Sequence, residues 1–151
     1  MKIVTAFLFF ALHTSMGAAV SGQLERAKQS PPKDKIRAVK TIGGRTLGFE
    51  TGDYQHVQIR LANGKRRSFF LGKPGLDYFL ATNKSRPIQF TYQVVDSYIP
   101  ESGGVMRIER LVSAKVGALT FESWWRQLTS KRTLDEIDKR YGPLVQKYQL
   151  N

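Results

Sequence analysis

The stretch VQIRLANGKRRSFFLG, Val57 to Gly72, sets two runs of alternating apolar and polar residues on either side of one Asn-Gly pair. Alternation with period two is the pattern of a half-buried strand, and Asn-Gly between two such runs is the strongest short-range signal of a β-hairpin. With Asn63 and Gly64 as the two central residues of a type I′ turn, register follows by counting outward. Arg60 then faces Arg67, Ile59 faces Ser68, Gln58 faces Phe69, Val57 faces Phe70 and His56 faces Leu71. Opposed residues share a face. Val57, Ile59, Leu61 and Phe70 are therefore expected in the core, and Tyr54, His56, Arg60, Arg67 and Phe69 on the other face.

The flanking sequence extends the pattern. Val39 to Glu50 reads as a strand interrupted by Gly43-Gly44, where a bulge or sharp bend is expected. ETGD, Glu50 to Asp53, reads as a turn. Pro74-Gly75 opens LDYFLATN, one or two helical turns ending at Asn83. Ile88 to Val95 alternates again, Ile99 to Gly104 is a loop, and Val105 to Val112 is a fifth strand. Beyond it, Thr120 caps FESWWRQL, and TLDE, Thr133 to Glu136, is a capping box for a helix expected to stop at Gly142-Pro143.

A glycine-bent first strand, a tight hairpin between strands two and three, and a short helix before strand four together resemble the OB-fold, a five-stranded Greek-key barrel. The resemblance covers about residues 38–113 and is architectural; an SH3-like barrel fits the same five strands. The expected fold is thus mainly β, an OB-like small barrel with one short helix between strands 3 and 4 and a helical C-terminal tail, residues 114–151, packed on it. The OB resemblance implies that the outer face of strands two and three holds oligonucleotides, oligosaccharides or protein partners.

The first residues carry a different signal. Lys2 followed by the apolar run Ile3 to Leu12 and small residues from Ser15 to Gly22 reads as a secretory signal peptide, cleaved after Ala19 or Gly22. The run is shorter than the ~20 residues that span a bilayer. An exported chain, periplasmic or extracellular and bacterial, is the expectation, with residues 23–37 as a flexible linker. The sequence contains no cysteine, so neither a disulfide nor a cysteine-linked lipid enters the reading.

The formal charge is +12, and +11 without residues 1–22, since Lys2 is the one charged residue removed. The excess lies ahead of residue 91: residues 23–50 hold seven Lys or Arg against three acids, and residues 51–90 seven against two. Such a field favours anionic polymers, acidic protein surfaces, single-stranded nucleic acid or a peripheral contact with membrane headgroups.

Arginines beside an outward aromatic suit a polyanion, and a ring on which a base can stack contributes about 1–3 kcal/mol for single-stranded nucleic acid. Tyr54, His56, Arg60, Arg67 and Phe69 are the expected contact set. A tail laid over this face would instead make Phe69 and Leu71 a second core layer. Trp124 and Trp125 point about 100° apart on a helix. Core packing accounts for one, and an exposed one could insert into a partner protein.

No catalytic constellation emerges. His56 is the only histidine after residue 22, and with no cysteine it leaves only carboxylates to complete a metal site. Ser68, Ser85 and Ser97 lie in no nucleophile elbow, and Asp53, Asp96, Glu101 and Glu109 lack the spacing of a paired-carboxylate site. GKPG, Gly72 to Gly75, is a turn rather than a phosphate loop. The reading is a non-enzymatic binding module with no cofactor.

Overall fold

The computed structural model describes residues 32–150. The expected signal peptide and residues 23–31 of the expected linker lie outside them. Strand β1 (Lys35–Thr51) begins within the stretch expected as linker; β2 (Gln55–Leu61), β3 (Arg66–Leu71), helix α1 (Leu76–Thr82), β4 (Ile88–Ile99), β5 (Gly104–Val116), β6 (Leu119–Thr120), α2 (Phe121–Thr129) and α3 (Leu134–Lys147) follow. Residues 100–102 make a single 3-10 turn.

The six strands form one sheet in the order β3-β2-β1-β4-β5-β6, with every neighbouring pair in that order antiparallel. It closes into a ring where β3 meets β5 in a short parallel pairing, Phe70 opposite Arg110 and Leu71 opposite Leu111. β1 is the spine: Lys35 to Gly44 pairs with β4, and Gly44 to Thr51 pairs with β2. Gly44 is the hand-over residue, opposite both Leu61 and Ile88. The glycine is required by proximity, because a Cβ there would lie 2.4 Å from the backbone oxygen of Arg60. The bulge expected at Gly43-Gly44 lies elsewhere: the register shifts fall between Ile36 and Ala38 and between Thr46 and Gly48, and Gly44 is instead the residue at which the strand changes partner.

Phe49, Val57, Ile59, Phe69, Phe90 and Leu111 fill the ring, and α1 adds Leu76, Phe79 and Leu80, all with no exposed surface. The tail packs on α1 rather than over β2 and β3: Trp124 meets Phe79 edge to face at 5.5 Å, and Tyr141 stacks on Tyr78 at 6.1 Å. After α3, Phe49 donates its N–H to the Tyr148 carbonyl at 3.0 Å, and Leu150 donates to the Phe49 carbonyl at 2.7 Å. These residues occupy the edge of β1 that β4 leaves at Gly44.

Two expectations change here. A sixth strand of two residues follows β5, and α3 does not stop at Gly142-Pro143 but runs on to Lys147. Pro143 removes one helical hydrogen bond, and burial of Val145 with half-burial of Leu144 and Tyr148 against the core outweighs that loss. The capping box forms as expected, with Thr133 accepting from the Glu136 N–H at 3.3 Å and Glu136 accepting from the Thr133 N–H at 2.8 Å.

Candidate functional site

The hairpin turn differs from a type I′ turn by one residue. Gly64 donates its N–H to the Leu61 carbonyl at 2.9 Å and Leu61 donates to the Lys65 carbonyl at 2.8 Å, which closes a three-residue loop, Ala62-Asn63-Gly64. Only Gly64 takes a positive φ, 81°. This is a type I turn followed by a left-handed glycine, the next most common hairpin connection. Asn63 stays at negative φ and accepts from the Lys65 N–H through its side chain at 3.1 Å.

The extra loop residue moves every residue of β3 to the opposite face. Arg60 opposes Arg66, Ile59 opposes Arg67, Gln58 opposes Ser68, Val57 opposes Phe69, and His56 opposes Phe70. Phe69 is consequently fully buried, and Phe70 takes its expected place outside, half-buried. Arg67 turns to the inner side, its guanidinium 4.8 Å from the Phe69 ring centre and 5.1 Å from that of Tyr92. It donates to the Glu109 carboxylate and, at 3.3 Å, to the Tyr92 hydroxyl. Burial works against the Arg67 charge, but those two acceptors outweigh it and raise its pKa. The expected ligand roles of Arg67 and Phe69 thus become structural. The signal that selects this register lies in RRSFFL: turning Arg67, Phe69 and Leu71 inward buries two apolar side chains, and the alternative buries one.

Tyr54, His56 and Arg60 stand on the outer face as expected. There Arg45 of β1, Arg60 of β2 and Arg66 of β3 lie in one row across three neighbouring strands, all exposed. None of the three has a carboxylate within ion-pair distance among the described residues. Four residues further along, Phe70 packs against His56 at 4.2 Å and against Tyr54 at 5.8 Å. Tyr54 donates its hydroxyl to Glu101 at 2.6 Å, which raises the phenol pKa and lowers that of the carboxyl. His56 Nδ1 lies 3.5 Å from the Ser68 hydroxyl. Arg45, Arg66 and Phe70 belong to this face and were not among the residues expected there.

At the arginine end, a cleft of about 660 Å³ opens over Gly43, between the end of β2 and the start of β4. Arg45, Arg60 and Lys115 line it beside Leu61 and Ile88. A second cleft of about 290 Å³ adjoins Arg45 and Arg60 and adds Lys84, whose ammonium sits 4.1 Å over the Tyr148 ring.

Trp124 and Trp125 are both half-buried on α2, their ring centres 6.2 Å apart. Trp125 stacks on Phe121 at 6.2 Å and lies so close over Gly75 that a Cβ there would fall 2.2 Å from its ring. The Trp125 cleft, about 550 Å³, also holds Asp77 and Asp138. Burial pushes the Asp77 carboxyl above its ordinary range, and burial with the hydrogen bond to Asp138 pushes the Tyr78 phenol up to about 12. No group of three or more His, Asp or Glu side chains gathers as a metal site among the described residues. No described helix is long and apolar enough to cross a membrane. No family model, curated protein or solved structure matches this chain.

Proposed function

We propose that the chain is an exported, non-enzymatic binding module, an OB-like barrel that holds an anionic polymer across the outer face of β1, β2 and β3. The observation that carries this is the row Arg45, Arg60, Arg66. Like charges directly opposite one another on a sheet cost about 0.2–1 kcal/mol, so three guanidiniums in line, with no carboxylate partner among the described residues, are a standing cost that a bound polyanion removes. The long β1 that changes partner at Gly44, the β2–β3 hairpin, the helix ahead of β4 and the ring closure between β3 and β5 support the OB-like reading. That resemblance assigns ligands to this face. Tyr54, His56, Arg60, Arg66, Phe70 and Arg45 form the contact set.

Single-stranded nucleic acid is the second reading, favoured by the half-buried Phe70 ring beside His56 on the same face, four residues along β3 from Arg66. The tail reading, insertion of Trp124 or Trp125 into a partner, has less support because both rings already pack on α1 and on each other.

Fluorescence anisotropy of labelled heparin and labelled oligothymidine, titrated with the full chain from low to physiological salt, tests both. Arg60→Gln with Arg66→Gln is expected to weaken polymer binding at least tenfold and to reduce the log-log salt slope by about one to two. Retention of oligothymidine at physiological salt, lost in Phe70→Ala, selects nucleic acid. Unchanged binding by the double variant overturns the face.

A further inference from the structure

The cleft over Gly43 differs in chemistry from the face beside it. It is lined on its apolar side by Leu61, Ala62, Pro87 and Ile88, and on its charged side by Arg45, Arg60 and Lys115. No lining residue is acidic, and none of the three cations has a carboxylate partner among the described residues. Arg45 spends one donor on the Ser85 carbonyl at 2.5 Å. Cations arriving from β1, β2 and β5 at one apolar notch are an arrangement that charge solvation alone does not require.

The backbone explains why the notch is open. β2 and β4 both hand over at Gly44, so Leu61 and Ile88 stand on either side of β1. The next residue along, Gly43, lies in a row with Gln89 of β4 and Lys115 of β5. A Cβ at Gly43 would meet nothing within 4 Å. Here glycine leaves vacant the space that a side chain would fill, in contrast with the crowded Gly44.

We propose that this cleft is a small-molecule site for an amphipathic organic anion, an apolar body carrying one acidic group. The body lies over Gly43 between Leu61 and Ile88, and the acidic group meets Arg45, Arg60 and Lys115. A cavity of this volume is in the range that encloses a single ligand of ordinary size, and apolar walls with a few convergent charged groups fix both affinity and orientation. The polymer face and the cleft share Arg45 and Arg60. Arg66 and Phe70 belong to the face alone, and Lys115 and Gly43 to the cleft alone.

The test is a fluorescence titration of the full chain with 1-anilinonaphthalene-8-sulfonate, followed by displacement with 1-naphthyl phosphate, with decanoate and with inorganic phosphate. One site per chain is expected, weakened at least tenfold by Lys115→Glu and by Gly43→Leu, and unchanged by Arg66→Gln. Displacement by naphthyl phosphate in preference to decanoate identifies a flat aromatic body, and the reverse a flexible chain; either supports the site. Equal displacement by inorganic phosphate overturns it, as does dye binding that Lys115→Glu leaves intact or a stoichiometry well above one. Circular dichroism checks the fold of Gly43→Leu, and Lys115→Glu, an exposed and unpaired position, carries the test if that variant unfolds. A polymer face that fails while Lys115→Glu still weakens the dye separates the two proposals.

Discussion

Arg67 and Glu109 join β3 to β5 at the point where those strands have no backbone pairing, since the ladder between them begins only at Phe70 and Arg110. The pair is a side-chain continuation of a seam whose backbone part is two residues long. Both partners are about a third exposed, so the direct contribution is modest. Glu109→Gln is expected to lower the unfolding free energy by about 0.5–1 kcal/mol in urea denaturation. Phe69→Ala, beneath the same guanidinium, is expected to cost about 3–5 kcal/mol.

The adjacent glycines of β1 should respond oppositely. Gly44→Ala drives a methyl into the Arg60 carbonyl and is expected to cost about 1–3 kcal/mol. Gly43→Ala meets open space and should fall within about 0.5 kcal/mol of the parent, measured by thermal melts of both variants.

The register of the hairpin marks the limit of what alternation alone conveys. Strand periods, the short helix and the Thr133 capping box were all legible, because each rests on local chemistry. The face of β3 was not, because Asn-Gly serves a two-residue and a three-residue loop alike. The choice between them depends on how Phe69 and Leu71 fit the core. Arg45 and Lys115 could not be placed beside Arg60 from sequence, since their meeting depends on β1 changing partner at Gly44.

Acid sensitivity should centre on Asp34 and Asp96. Asp34 accepts from Ser97 and Arg110, and Asp96 from Arg107 and Arg37, and these bonds hold both carboxyls below their ordinary value of 3.8. A carboxyl whose folded pKa is depressed contributes stability above its unfolded value and loses it as pH falls through the folded one. The Tm gap between the parent and Asp34→Asn with Asp96→Asn should be constant above about pH 5 and narrow below pH 3.8. A gap that stays constant down to pH 2 would remove these contacts from the account.

Asp77 carries the opposite sign. Burial raises its folded pKa, so its ionisation disfavours the folded state as pH rises through 3.8 toward the folded value. Asp77→Asn keeps an acceptor for Gln55, which bonds Asp77 at 3.3 Å. It is expected to equal or exceed the parent Tm at pH 7 and to match it at pH 3.

Pro143 interrupts α3 four residues before its end. Pro143→Ala restores an N–H donor to the Lys139 carbonyl and should raise stability by about 1 kcal/mol or more, read as a Tm increase with unchanged far-ultraviolet helix signal.

The partner change at Gly44 also divides the ring by the order in which it can assemble. β1 reaches β2 across residues 52–54, and β4 reaches β5 across a single 3-10 turn, so each half of the sheet begins as a local hairpin. Joining β4 to the early part of β1, and β3 to β5, brings together segments some 40 to 60 positions apart along the chain. Short loops close before long ones. The local hairpins are therefore expected to form first, and the β3–β5 seam, 40 positions apart, and the β1–β4 ladder, 44 to 61 positions apart, to close the ring after them.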